Sequence, residues 1–78
     1  MDFMMLAALK SWRELNKMCK LSLFNEEQLW AMLRHEELNG GRIVMLVRIH
    51  QVASGLRTAR EREELIAKIG THGNQNGA

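Results

Sequence analysis

From Arg42 to Ile69 the chain contains no proline and one glycine, Gly55, between the stops Gly40-Gly41 and Gly70. That single stretch limits what the chain can become. Apolar residues at Met45, Ile49, Val52, Leu56, Ala59 and Ile66 recur at the spacing of one helix face. About 28 residues at a 1.5 Å rise make roughly 42 Å of helix. The opening run Ile43–Val47 is β-branched enough to suit a strand. No second strand is in sight to pair with it, so a helix is expected. Because the run is apolar on every side, this end of the helix is expected to be buried on most faces. Nothing else in the sequence is long enough to cover the whole element.

A chain of 78 residues is one domain, near the lower limit for a core held without staples. It has no proline and no tyrosine, and β-branched residues are sparse outside Ile43–Val47. The expected fold is therefore all-α: a three-helix domain, two short helices packed on one long C-terminal helix. Cys19 is the only cysteine, which excludes a disulfide framework and a thiolate zinc cluster. The formal charge of +2 is too small to argue for nucleic acid by itself. The apolar run Phe3–Leu9 is far short of the roughly 20 residues that span a bilayer, and it lacks the basic leader of a signal peptide. A cytoplasmic protein without a membrane association is expected.

In chain order, residues 1–10 read as an apolar N-terminal extension that either lengthens the following helix by two turns, with Asp2 as its N-cap, or forms a sticky tail. Ser11-Trp12-Arg13-Glu14 fits a capping box, so a helix starts or restarts at Ser11 and runs to about Met18–Lys20. Asn25-Glu26-Glu27-Gln28 is a second capping box, with Phe24 placed to staple onto Leu29. That helix is expected to end at Asn39-Gly40-Gly41. The helical domain is assigned to residues 11–70 and a disordered tail to 71–78. The expected core is Trp12, Leu15, Leu29, Trp30, Leu33, Leu46, Ile49, Val52 and Leu56.

Four constellations bear on function. Lys10, Arg13, Lys17 and Lys20 are spaced to share a basic face on the first helix. Such a face suits an acidic partner or RNA, although it is also what an ordinary solvated helix shows. On the long helix, Arg48, Arg57 and Arg60, with His50 nearby, suit a phosphate or an acidic surface, and Arg57 and Arg60 lie beside the apolar positions Leu56, Ala59 and Ile66. Together they make a candidate partner-binding stripe. Intrahelical pairing of those arginines with Glu61 and Glu64 is the competing reading. His35, His50 and His72 have no ligand spacing, and Cys19 falls on the Trp12–Leu15 face as a structural residue would. No catalytic residue, metal ligand or cofactor site is expected, and the chain is read as a non-enzyme. A helix-turn-helix reader would need polar residues where Ile43–Val47 stands, so DNA reading fits poorly.

The order Ser11-Trp12-Arg13-Glu14-Leu15, a short acidic second helix, Arg48-Ile49-His50-Gln51, then Leu56-Arg57-Thr58-Ala59-Arg60-Glu61-Arg62-Glu63-Glu64-Leu65 resembles small early helical proteins of tailed bacteriophages. Some of those bind host RNA polymerase and block initiation or carry elongation past terminators. The resemblance implies a regulator that docks on a large host complex, with RNA polymerase favoured, RNA contact nearby, and location in the host cytoplasm. It carries no individual residue's role across. Two further readings remain open. One is an anti-defence (anti-CRISPR-like) inhibitor of a host nuclease complex. The other is a homo-oligomeric helical module, joined as a homodimer through Gly55 and the apolar stripe.

Overall fold

A computed structural model describes residues 1–70 in full; residues 71–77 enter only as the end of the last helix, and residue 78 lies outside the description. The expected disordered tail, 71–78, falls on those residues and is outside what is described in full. The fold is all-α. Its helices are α1 (Phe3–Ala8), α2 (Trp12–Lys20), α3 (Glu26–Asn39) and α4 (Ile43–Gly77). The long C-terminal helix carries the shorter ones, as expected, and the apolar N-terminal stretch forms a helix of its own.

Each start has a local cause. The Asp2 carboxylate accepts from the Met5 N–H at 2.9 Å and begins α1. The Ser11 hydroxyl accepts from the Glu14 N–H at 3.2 Å and restarts the chain as α2. The return half of that capping box is not made, because Glu14 turns instead to Lys17 at 3.2 Å. In α3 the box is complete: Asn25 and Gln28 exchange backbone-to-side-chain bonds of 2.8 Å each. Phe24 and Leu29 are both buried in the core, as a staple requires.

The ends are as informative. After α2, Ser22 donates to the Cys19 carbonyl and Leu23 to the Met18 carbonyl, the pair of bonds of a Schellman turn. Ser22 holds the left-handed position, φ 56°, where a β-carbon is disfavoured by about 1–2 kcal/mol. Ser22→Gly is therefore expected to raise stability by up to about 1 kcal/mol, less what glycine loses in chain entropy. Urea unfolding of the two proteins measures the difference.

After α3, the Gly40 and Gly41 amides both donate to the Glu36 carbonyl, and Gly41 takes a φ of 63°. A β-carbon on Gly40 would collide with the Glu36 carboxylate. Glycine is needed at 40 for space and at 41 for the left-handed turn.

The core joins Met5, Ala8 and Leu9 to Leu15, Phe24, Leu29 and Met32, and to Met45, Ile49 and Ala53 of α4. Residues 1–10 thus supply core side chains. Of the expected core, Leu15, Leu29 and Ile49 are fully buried, while Trp30, Leu33 and Val52 pack at its edge. Leu46 is half-buried and outside the core, and further expectations fail. Trp12 is 48% exposed and Ile43 74%, and Val44 and Val47 are exposed with them. On α2 the inward face centres on Leu15, with Met18 and Cys19 beside it, which leaves Trp12 at the rim. On α4 the inward line is Met45, Ile49, Ala53 at helical spacing, and no helix covers the side opposite.

Leu56 also lies outside the core, at its open end. With 14 residues against 35, α3 spans about 21 Å, two fifths of the long helix. The resulting molecule is a rod of 54 × 21 × 19 Å. Gly70, expected as a stop, is helical.

One buried charge ties three elements together. Glu36, 2% exposed, accepts from the Arg42 backbone N–H at 3.0 Å, from Nε at 3.0 Å and from Nη2 at 2.8 Å. The same Nη2 donates to the Leu9 carbonyl at 2.6 Å. The end of α3, the start of α4 and the exit of α1 are held by one guanidinium. Those bonds hold the Glu36 carboxyl below its ordinary pKa, against burial, which pushes it up.

Candidate docking surface

The stripe expected to meet a partner is uncovered. Leu56 is 39% exposed and Ile66 61%; Ala59 is exposed, and so is every residue from 61 to 70. Helix α1 does not reach this region, because it folds against α2 and the α3–α4 corner. Leu65 and Ile69 are exposed beside Ile66, so the far half of α4 carries three large apolar side chains into solvent.

The arginines of that stripe are occupied. Arg60 donates to Glu26 at 2.9 and 3.3 Å and to Glu64 at 3.0 Å. It thereby pins the start of α3 to the middle of α4. These bonds hold Glu26 below its ordinary pKa against partial desolvation, and they push Arg60 up. Arg57 stands over the Trp30 ring at 5.6 Å and reaches Glu61 at 3.6 Å. Trp30 in turn meets His50 edge-on, centroids 5.8 Å apart. Arg57 and Arg60 thus have partners within the chain, as the competing reading expects, while both side chains stay half exposed. Their acids lie four residues on in the same helix and at the α3 N-terminus, where a carboxylate is also favoured by the helix dipole.

The basic face is broken. Lys10 sits in the turn between α1 and α2, while Arg13, Lys17 and Lys20 lie on α2. Lys17 is tied to Glu14. Lys10, Arg13 and Lys20 form no ion pair among the described residues.

A surface missed from sequence lies on the N-terminal half of α4. Trp12, Asn16 and Lys20 of α2 face Ile43, Val44, Val47, Arg48 and Gln51 across an open groove of about 500 Å³. On the other flank, Leu33 and Glu37 of α3 face Leu46, Val47, His50 and Gln51 across a groove of about 370 Å³. Val47 and Gln51 border both, so they form a ridge between two furrows. Arg48 has its Nε buried with no hydrogen-bond partner. The missed signal was the all-round apolarity of Ile43–Val47, which exceeds what one buried face can use.

Searches of protein-family models, curated proteins and solved structures return no match to this chain.

Among the described residues no three His, Cys, Asp or Glu side chains converge as metal ligands. Burial pushes the half-buried Cys19 thiol up, with Arg48 pulling the other way, so the thiolate that would react is disfavoured. His35 bonds to Asn39, its neighbour one turn on. No helix among the described residues is long and apolar enough to cross a membrane. What the surface offers in quantity is exposed apolar side chains along α4.

Proposed function

We propose that this protein is a non-enzymatic docking module that binds a larger protein complex through the uncovered faces of α4. The observation that carries this reading is the exposure of Leu65, Ile66 and Ile69 on a helix that runs past all its internal cover. Exposed apolar area of this kind, arranged along one element, is what helix-in-groove recognition uses. The choice of partner, host RNA polymerase whose transcription is inhibited or antiterminated, comes from the resemblance to small early phage proteins. Lys10, Arg13 and Lys20 are the bases left to meet acidic protein or RNA beside the contact.

Purified polymerase is expected to be retained by the immobilised chain, and Leu65→Glu with Ile66→Glu is expected to abolish retention. Both positions are outside the core, so circular dichroism should show the same helix content in the variant. Failure of the wild-type chain to retain any polymerase subunit would overturn the assignment of partner.

A further inference from the structure

We infer that the groove between α2 and α4 seats an acidic amphipathic helix of the partner protein. The apolar residues of that helix rest on Val44 and Val47, and its carboxylates meet Lys20 and Arg48. The inference rests on reading the uncovered side of α4 as a docking surface, and it names the chemistry of what docks there.

The groove has the length of a helix seat. Its α2 wall is Trp12, Asn16 and Lys20, and its α4 wall runs from Ile43 to Gln51. Each wall spans a rise of about 12 Å, over which a helix offers side chains at i, i+4 and i+7. The two walls run in the same direction. Leu9, just before α2, accepts from Arg42 at one end, and Cys19 shares a small cavity with Val52 and Leu56 at the other. Trp12 thus stands by Ile43 and Val44, and Lys20 by Arg48 and Gln51. Ile43, Val44 and Val47 are exposed and give the groove an aliphatic floor, the kind of surface that an apolar helix face recognises.

Charge selects the occupant. Lys20 and Arg48 line this groove, no acid does, and neither base forms an ion pair among the described residues. At 100° per residue, Arg13 lies within roughly 20° of Lys20 around α2, so the rim beyond is basic as well. Helix α2 carries three bases against one acid, and that acid, Glu14, is tied to Lys17. Helix α3 is the reverse, four acids against one arginine, and the furrow on its side carries Glu37. The two furrows beside Val47 are alike in apolar lining and opposite in charge. A second copy laying its α4 antiparallel in the α2 furrow would set Arg62 against Lys20 and Arg48, which charge opposes. Single-stranded RNA would satisfy the bases and stack on Trp12, but it would leave the aliphatic floor without a partner. An acidic amphipathic helix uses both.

The immobilised full chain is used to select from a displayed library of helices of about 16 residues, with leucines fixed along one face and the flanks randomised. The retained helices are expected to be rich in Asp and Glu at the flanks. Lys20→Glu with Arg48→Gln should weaken their binding by at least about tenfold, and so should Val47→Glu, each without loss of helix content. Toward Lys20→Glu, peptides with lysine in place of the acids should bind better than the acidic ones. Neutral or basic flanks, no helix retained, or undiminished binding by Val47→Glu overturns the proposal. A single-stranded RNA of mixed sequence is the rival probe. RNA bound in place of any acidic helix, with binding that falls steeply with salt and is lost in Trp12→Ala, overturns it in favour of nucleic acid. A chain that selects acidic helices and retains no polymerase keeps the groove and sinks the choice of polymerase. A chain that retains polymerase and selects no acidic helix does the reverse.

Discussion

Arg42→Ala is expected to destabilise the fold by about 3 kcal/mol, the low end for breaking a buried ion pair. Two side-chain hydrogen bonds to the Glu36 carboxylate and one to the Leu9 carbonyl vanish together, while the bond from the backbone N–H of residue 42 remains. The carboxylate, 2% exposed, is left without its counter-charge. The low end applies because the arginine is itself 43% exposed, so its removal opens a path for water. In a domain of this size each kcal/mol moves Tm by about 4–8 °C. A drop of roughly 12–24 °C should therefore be seen by thermal circular dichroism. A loss no larger than that of an ordinary surface substitution would show that the corner holds without the pair.

The same pair sets a pH dependence. Arg42 depresses the folded-state pKa of Glu36 below the unfolded value of about 4.3. The stabilisation is then fully present above about pH 4.3 and is lost as pH falls through the folded value. Glu36→Gln removes this component, so the stability of that variant should fall less steeply below pH 4.3 than the wild type's. Glu26, also depressed by its arginine, titrates in both proteins and leaves some acid sensitivity in each. In Arg42→Ala the sign reverses. Burial without a partner raises the Glu36 pKa, so the deficit of that variant should shrink on acidification. Parallel urea titrations at several pH values test both signs.

Ile49→Ala is the second large effect, about 3–4 kcal/mol. Ile49 is fully sealed between Met45 and Ala53 on the inward line of α4, and truncation there leaves a cavity that three converging helices cannot easily close. Ile43→Ala, six residues earlier on the same helix, should cost no more than about 0.5 kcal/mol to a single chain, since its side chain is mostly in water. The contrast measures the rotation of α4 about its own axis. Equal losses at the two positions would mean that the helix presents a different face to α2 and α3.

The helices were legible because their signals are local. Asp2, Ser11 and Asn25 each cap an amide three residues away, and Gly40-Gly41 ends α3 by bonds to Glu36 within the same turn. Composition and the repeat along Arg42–Ile69 sufficed for an all-α chain with one long helix. The uncovered end around Ile66 could be anticipated from lengths alone, because a helix of about 21 Å cannot cover one of 42 Å.

Tertiary structure decided which way each helix is turned. Ile43–Val47 is apolar all round, so periodicity carries no phase there, and only packing chose Met45 for the inside and left Ile43, Val44 and Val47 out. Trp12 shares the spacing of Leu15 and Cys19, yet a shift of the inward arc toward Met18 put it at the rim. Arg60 finds Glu26 across 34 positions of chain, and Arg42 finds Leu9 across 33. Spacing rules reach one helical turn, and these pairs form only when separate helices are brought side by side. The sequence alone therefore determined the helices and the length of α4 left over; the fold determined that its free face is the Val47 side, and that Arg57 and Arg60 pair within the chain.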